Sequence, residues 1–238
     1  MKHTYLFSLS PLLLTLALPH DRDHDYNHQP PNLQTLSSHF TLTIFSPQNP
    51  TLHDLKVEET YGGFGLYKAT CESYCPSQVQ QQGGCPNGTE LAFGGETLYY
   101  PYSIVPGGQN TYILSSGLIL ITVQHSHFIP PDAYVGDWTW YAFPALEHEH
   151  EHEWKRNDHY PHKCDSSDPV YDCRYPSGIF TFSAPNTTVG GLAACPSQYD
   201  KNVTVVYAVT PDFKGEGCER VFGLATHEYK GEPVWAYY

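Results

Sequence analysis

The stretch Phe40-Thr41-Leu42-Thr43-Ile44-Phe45 alternates apolar and polar residues and predicts the first strand of the folded region. Short apolar or aromatic runs recur after it, separated by Gly, Pro, Asn and Asp, which are typical of turns. Further strands are predicted at 55–59, 64–68, 97–103, 111–114, 118–124, 137–143, 178–183, 189–194, 203–209, 220–227 and 233–238. No window keeps a helical apolar period, and 20 prolines and 19 glycines disfavour long helices. The sequence therefore predicts a single all-β domain of about a dozen short strands.

Among all-β architectures, the pattern favours a β-trefoil, with a β-sandwich as the alternative. The unit Gln109-Asn110-Thr111-Tyr112, followed by Gly117-Leu118, resembles a trefoil hairpin. The first and last predicted strands lie at the two ends of the domain, where their pairing would close a barrel. A β-sandwich remains the alternative, because the sequence shows no threefold repeat.

The N-terminal residues indicate export. Lys2 precedes a short apolar run from Tyr5 to Leu18, and a bilayer span needs about 20 apolar residues. Residues 1–19 therefore predict a secretory signal peptide. Residues 20–38 are polar and predict a flexible arm, so that the all-β domain occupies 39–238 of an extracellular protein.

The charge excludes two classes of partner. The formal net charge is −13 and the isoelectric point is near 5.4. Such a chain offers no basic surface to nucleic-acid phosphates or to anionic lipids. We therefore expect neither nucleic acid nor membrane as a partner.

The cysteines predict a disulfide framework, because thiols are oxidised in exported proteins. Proximity along the chain favours three bonds, Cys75–Cys85, Cys164–Cys173 and Cys195–Cys218. Cys71 is then left over. A buried free thiol, a Cys71–Cys85 bond and an intermolecular bond all remain open for it.

Three N-glycosylation sequons follow the predicted signal peptide and lie in turn-like surroundings. They begin at Asn87, Asn186 and Asn202. The chain is therefore predicted to be a glycoprotein.

The stretch 144–176 interrupts the strand pattern and is predicted to be an insertion. It contains a tract of alternating Glu and His residues in which His148, His150 and His152 would share one face if extended. Imidazole groups suit zinc, copper and nickel, so this tract is a candidate metal site, physiological or adventitious. The alternative is a solvated loop of biased composition. No other cofactor is expected.

Enzyme signals are absent. The nucleophile motif Gly-x-Ser-x-Gly does not occur, and no carboxylate is predicted in an apolar strand that would raise its pKa. We therefore predict a protein without catalytic residues. Trp138, Trp140 and Tyr141 are a candidate platform for carbohydrate, although aromatic residues also fill strands because they pack well there.

Several short motifs recur in a recognisable order. They are Tyr74-Cys75-Pro76-Ser77, Cys85-Pro86-Asn87-Gly88-Thr89, Val105-Pro106-Gly107-Gly108-Gln109 and Ala194-Cys195-Pro196-Ser197. Over 40–143 and 176–238, this order resembles the fungal family of PhiA-type cell-wall proteins and IgE-binding secreted proteins. The insertion with its two cysteines, together with Cys71, departs from the family pattern.

The resemblance implies a secreted, wall-associated and allergen-like protein, and it implies no catalytic residues. Cell-wall polysaccharide or matrix would be its partner. Two alternatives differ in class: a carbohydrate-binding, lectin-like effector, and a metal-binding protein that acts through the His/Glu tract.

Overall fold

Fourteen strands and one short helix form the part of the chain that the computed structural model describes, residues 33–66, 71–144, 175–197 and 203–238. All of the pairings between these strands are antiparallel. The helix, α1 (Ser77–Gln81), lies in the loop between Cys75 and Cys85. No helix of these described ranges has the length and apolar character that crossing a bilayer requires. The prediction of an all-β protein is confirmed.

The strands form two larger sheets and one small sheet. The five-stranded sheet has the order β5 (Ala92–Gly94), β1 (His39–Phe45), β13 (Gly223–Glu228), β9 (Gly178–Phe182), β8 (Trp138–Ala142). The second sheet has the order β12 (Glu219–Val221), β10 (Leu192–Pro196), β11 (Thr204–Ala208), β3 (Gly63–Leu66), β7 (Ile119–Ile121), β6 (Thr111–Ile113), with β2 (Val57–Thr60) paired to β3. The small sheet pairs β4 (Ser73–Tyr74) with β14 (Ala236–Tyr237).

One hydrophobic core joins the two larger sheets. In β1, Phe40 is fully buried and its ring lies 5.9 Å from Phe93 and 5.6 Å from Phe180. The ring of Phe64 in β3 lies 5.7 Å from Phe93, so aromatic contacts run from one sheet to the other. The strand predicted at residues 40–45 is therefore central, because its apolar side chains supply the middle of the core.

One predicted strand is wrong. Residues 97–103 form bends and turns, whereas the strand of this region is β5, which the sequence did not predict. This segment forms no ladder: Leu98 is fully buried, Tyr102 stacks on His39 at 4.0 Å, and Tyr100 is 55% exposed. Aromatic content here reflects packing and not strand pairing.

The expected pairing of the first and last strands is also wrong. The last strand, β14, pairs with β4, while β1 pairs with β13 and β5. The predicted strand at 220–227 is broken at Phe222, because the chain leaves the second sheet after β12 and enters the first sheet as β13. The choice between β-trefoil and β-sandwich stays a prediction.

The described end of the predicted polar arm contacts the domain. The backbone N–H of Gln34 donates to the carbonyl oxygen of Phe143 at 2.9 Å, and Leu36 packs against the core. Leu36 is one of the few apolar residues of the arm, and its burial accounts for this contact.

Candidate functional site

Two of the three predicted disulfides lie within the described residues, and both are present. Cys75 bonds to Cys85, with 6.1 Å between their Cα atoms, and Cys195 bonds to Cys218, with 4.2 Å. Cys71 is a buried free thiol, and burial together with nearby carboxylates raises its pKa. This matches the first of the three alternatives for Cys71. The predicted Cys164–Cys173 bond falls outside the described residues.

Two of the three sequons can be placed. Asn87 and Asn186 are both exposed. Asn186 lies at a turn with a positive φ of 57°, and the backbone N–H of Asn87 donates to Glu232 Oε2 at 2.9 Å. Both side chains thus have solvent in front of them, as a glycan requires. Asn202 falls outside the described residues.

The three residues of the predicted carbohydrate platform do not share a face. Trp138 and Trp140 pack against the core, and the indole N–H of Trp140 donates to Thr226 Oγ1 at 3.2 Å. Tyr141 is 55% exposed on the other face of β8. A single three-ring platform on β8 is therefore wrong, because successive side chains of a strand point to opposite faces.

The predicted metal site cannot be placed, since His148, His150 and His152 fall outside the described residues. Within the described residues, no group of three or more His, Cys, Asp and Glu side chains is arranged to hold a metal ion. Metal binding by the His/Glu tract stays a prediction.

The structure reveals a cluster of ionisable side chains around the buried Glu58 that the sequence did not predict. Lys56 Nζ lies 2.7 Å from Glu58 Oε1 and forms a second ion pair with Glu90. Glu58 is fully buried in β2, and its Oε2 accepts the backbone N–H of Leu91 at 2.8 Å. We call Lys56, Glu58 and Glu90 the Lys56 cluster.

Burial and ion pairing together shift the pKa values in the Lys56 cluster. Burial raises the pKa of Glu58 to about 8; Lys56 opposes this shift, and the Glu90 carboxylate adds to it. Burial opposes the charge of Lys56, but the attraction of Glu58 and Glu90 outweighs it and raises the pKa of Lys56. The expectation that no carboxylate stands in an apolar strand is therefore wrong. Glu58 and Glu59 are polar residues, yet β2, the strand that contains them, is buried on both faces.

A second pair of carboxylates holds the turn between β2 and β3. This turn consists of Tyr61 and Gly62, with positive φ angles of 51° and 76°. The backbone N–H of Gly62 donates to Glu59 Oε1, and that of Tyr61 donates to Glu72 Oε2 at 3.1 Å. The carbonyl oxygen of Glu72 also accepts the backbone N–H of Tyr238 at 3.3 Å.

Three exposed tyrosines lie at or next to the backbone contacts of Glu72, and we call them the tyrosine tip. Tyr61, Tyr74 and Tyr238 are 63%, 38% and 70% exposed. The ring of Tyr74 meets Trp235 edge-on at 5.8 Å. The order of the chain gives no sign of this group, because residues 61, 74 and 238 meet only through the pairing of β4 with β14 and the contacts of Glu72.

Tyr237 and Gln109 anchor the C-terminal strand beneath the tyrosine tip. Tyr237 is fully buried; its hydroxyl accepts the backbone N–H of Ala92 at 3.0 Å and lies 3.1 Å from the carbonyl oxygen of Glu90. The Gln109 amide donates to the carbonyl oxygens of Thr122 at 2.7 Å and Tyr237 at 3.0 Å. Its oxygen accepts the backbone N–H of Tyr237 at 2.8 Å.

The buried groups described above have structural roles, whereas the exposed groups are accessible to solvent. The buried carboxylates of Glu58 and Glu59 accept bonds from Lys56 and from backbone N–H groups. These bonds give the buried carboxyl groups partners, which buried polar groups require. The tyrosine tip, in contrast, presents aromatic rings to solvent.

The chain is similar to an uncharacterized secreted protein of the fungus Arthroderma benhamiae. The two are 29% identical over 171 residues, which cover 69% of each chain. No family model matches the chain, and no solved structure matches it. The likeness supports an extracellular protein of fungal type, which is the coarser part of the resemblance inferred from the motifs.

Proposed function

We propose that this chain is a secreted, non-enzymatic protein of the fungal surface, associated with the cell wall or the extracellular matrix. The observation that carries the proposal is the internal pairing of the buried carboxylates. Glu58 is bound by Lys56 and by the backbone of Leu91, and Glu59 is bound by the backbone of Gly62. A general acid or base must instead reach the substrate proton that it transfers.

Three further observations support secretion and a surface location. Two disulfides staple the described domain, as is typical of exported proteins. The similar Arthroderma protein is a secreted protein. The order of the cysteine, proline and glycine motifs supports the PhiA-type, wall-associated part of the proposal.

Fractionation of a fungal culture tests the location. An antibody raised against the purified domain is used to quantify the protein in the medium, in the wall after detergent extraction, in the glucanase-released fraction and in the cytosol. We expect the protein in the wall fractions and the medium. Recovery from the cytosol alone would overturn the proposal.

A substrate panel tests the non-enzymatic part. The purified protein is incubated with glycoside, ester and peptide substrates beside a Glu58→Gln variant. We expect no turnover by either protein. Turnover that is lost in the Glu58→Gln variant would show that the Lys56 cluster is catalytic and would overturn this part of the proposal.

The allergen-like part rests on the resemblance to IgE-binding proteins. Binding of IgE from sensitised sera is compared between the native domain and a reduced, alkylated sample. We expect binding to the native domain and a loss on reduction, because the two disulfides hold surface loops in place. Sera that bind neither sample would contradict it.

A further inference from the structure

The turn at the centre of the tyrosine tip has an unfavourable residue in it. A two-residue hairpin turn with positive φ at both positions is best served by Asn-Gly. Here Tyr61 occupies the first position with φ of 51°. A bulky side chain in this left-handed conformation costs about 1–2 kcal/mol. The Tyr61 side chain is 63% exposed, so much of its ring faces solvent.

Glu72 fixes the backbone beneath two of the exposed rings. Glu72 accepts the N–H of Tyr61 through its carboxylate and the N–H of Tyr238 through its carbonyl oxygen. A Cβ atom added at Gly62 would lie 3.8 Å from the carbonyl oxygen of Tyr238, so the turn lies next to the backbone of Tyr238. A surface whose backbone is fixed before binding loses less conformational entropy on binding.

The third ring, that of Tyr74, contacts a tryptophan. Tyr74 contacts Trp235, and Trp235 also meets the ring of His125 at 5.9 Å. His125 is another non-glycine residue with a positive φ, at 60°. Residues in such sparsely populated conformations occur where a structure presents groups for function.

We propose that the tyrosine tip binds a neutral, hydroxyl-rich polysaccharide. Tyrosine rings are apolar bodies with a polar edge, so they cover the C–H faces of sugars while their hydroxyls bond to sugar hydroxyls. Glu72 bonds to the backbone of Tyr61, Glu59 bonds to the adjacent Gly62, and the chain carries a net charge of −13. Like charge repels anionic polymers and lipids. This inference rests on the proposed function, since it names the polymer that a wall protein meets at this site.

Retention on polysaccharide tests the proposal. The purified protein is incubated with insoluble β-glucan and with chitin, beside Tyr61→Asn and Tyr238→Ala variants. The matched control is Tyr141→Ala, which removes a tyrosine of similar exposure from β8. We expect one polymer to retain the parent and Tyr141→Ala, and both tip variants to bind about 10-fold more weakly, a loss of about 1.4 kcal/mol.

Tyr61→Asn keeps the turn and removes the ring, so it separates binding from folding. Asn is the preferred residue at this position, and we expect the melting temperature of Tyr61→Asn to equal or exceed that of the parent. Weaker retention by a variant of equal or higher stability supports the site. Parent-like retention by Tyr61→Asn, or an equal loss in Tyr141→Ala, would overturn it.

Two further arms distinguish other ligands. Polygalacturonate and phosphatidylserine vesicles are offered to the same proteins, and we expect neither to bind. Binding to these anionic probes without binding to β-glucan or chitin would overturn a neutral polysaccharide. Wall recovery from culture without binding to either neutral polymer would overturn the site while leaving the proposed function standing.

Discussion

Single buried hydroxyls matter in this domain, and Tyr237 is the clearest case. Replacement of Tyr237 with Phe removes the acceptor of the Ala92 N–H and leaves that donor buried. We expect the free energy of unfolding to fall by about 1–3 kcal/mol, the cost of an unsatisfied buried group. Urea denaturation measures the change. Tyr238→Phe, in a 70% exposed side chain, is the control and should be neutral; equal stabilities of the two variants would contradict the prediction.

Glu58 makes the stability of the domain depend on pH. Its pKa is about 8 in the folded protein and about 4.5 in the unfolded chain. The folded protein therefore binds more protons between these values. The stabilising contribution is complete below pH 4.5 and is lost as pH rises through 8. We expect the free energy of unfolding to fall over this range, by at most about 1.4 kcal/mol per pH unit for one proton.

Glu58→Gln checks this assignment. The variant has no titrating group at position 58, so its stability should change less between pH 5 and pH 8 than that of the parent. Denaturant unfolding at a series of pH values gives the comparison. Glu228→Gln is the matched control, because Glu228 pairs with Lys230 at the surface. A parent-like slope in Glu58→Gln would assign the titration to another group.

Some contacts of the candidate site can be predicted from the sequence and others cannot. The bonds Cys75–Cys85 and Cys195–Cys218 follow from separations of 10 and 23 residues, because short loops close easily. Lys56 joins Glu58 to Glu90, which belongs to a distant segment of the chain, and the residues next to Glu58 do not predict this contact. Pairing over long sequence separation is invisible to local pattern.

The hairpin of β6 and β7 depends on a glycine that two constraints require. Gly117 has a φ of +92°, and a Cβ atom there would clash with the carbonyl oxygen of Ala208 in β11. We expect Gly117→Ala to lower the free energy of unfolding by about 3 kcal/mol, from backbone strain together with overpacking.

Gly136 separates these two contributions. It has a φ of +80° but nothing within 4 Å of the added Cβ. Gly136→Ala should therefore cost only the strain, about 1 kcal/mol. Thermal unfolding of both variants gives the difference. Equal losses would mean that the contact with Ala208 relaxes freely.

Strands with regular alternation are predictable, and irregular segments are not. The alternation over residues 40–45 predicts β1 correctly as a strand, although both faces of β1 are covered and Thr41 and Thr43 are buried as well. Residues 97–103 also contain aromatic residues but form no ladder, since Leu98 is buried from a turn and Tyr102 stacks on His39. Composition alone cannot distinguish an apolar residue that packs from a strand from one that packs from a turn.

For the molecule as a whole, glycosylation is the property to test first. Protein secreted by a fungal host should lose mass on enzymatic removal of N-glycans, because Asn87 and Asn186 are exposed. Asn87→Gln and Asn186→Gln should each remove the mass of one glycan. Intact-mass spectrometry reads both changes. A secreted parent whose mass does not change on this treatment would contradict the prediction.

Sheet pairing is the level at which sequence reasoning fails most. The strands themselves are short and local, but β1 pairs with β13 across nearly the whole domain, and β14 pairs with β4. Such pairs form because the core excludes water from all of them together, and no single strand encodes its partner. The tyrosine tip is a product of this long-range pairing.

The Gln109 clamp has a consequence for the timing of biosynthesis. Gln109 and Tyr237 are separated by 128 residues, so at ribosomal speed Gln109 is made about 10 s before its partner. During that interval the side-chain amide of Gln109 lacks its later partner, the backbone of Tyr237. Cys75 and Cys85 are both made early and can pair at once. The nascent chain therefore matures from a stapled loop toward a late closing step, and folding chaperones would meet it in the interval between the two.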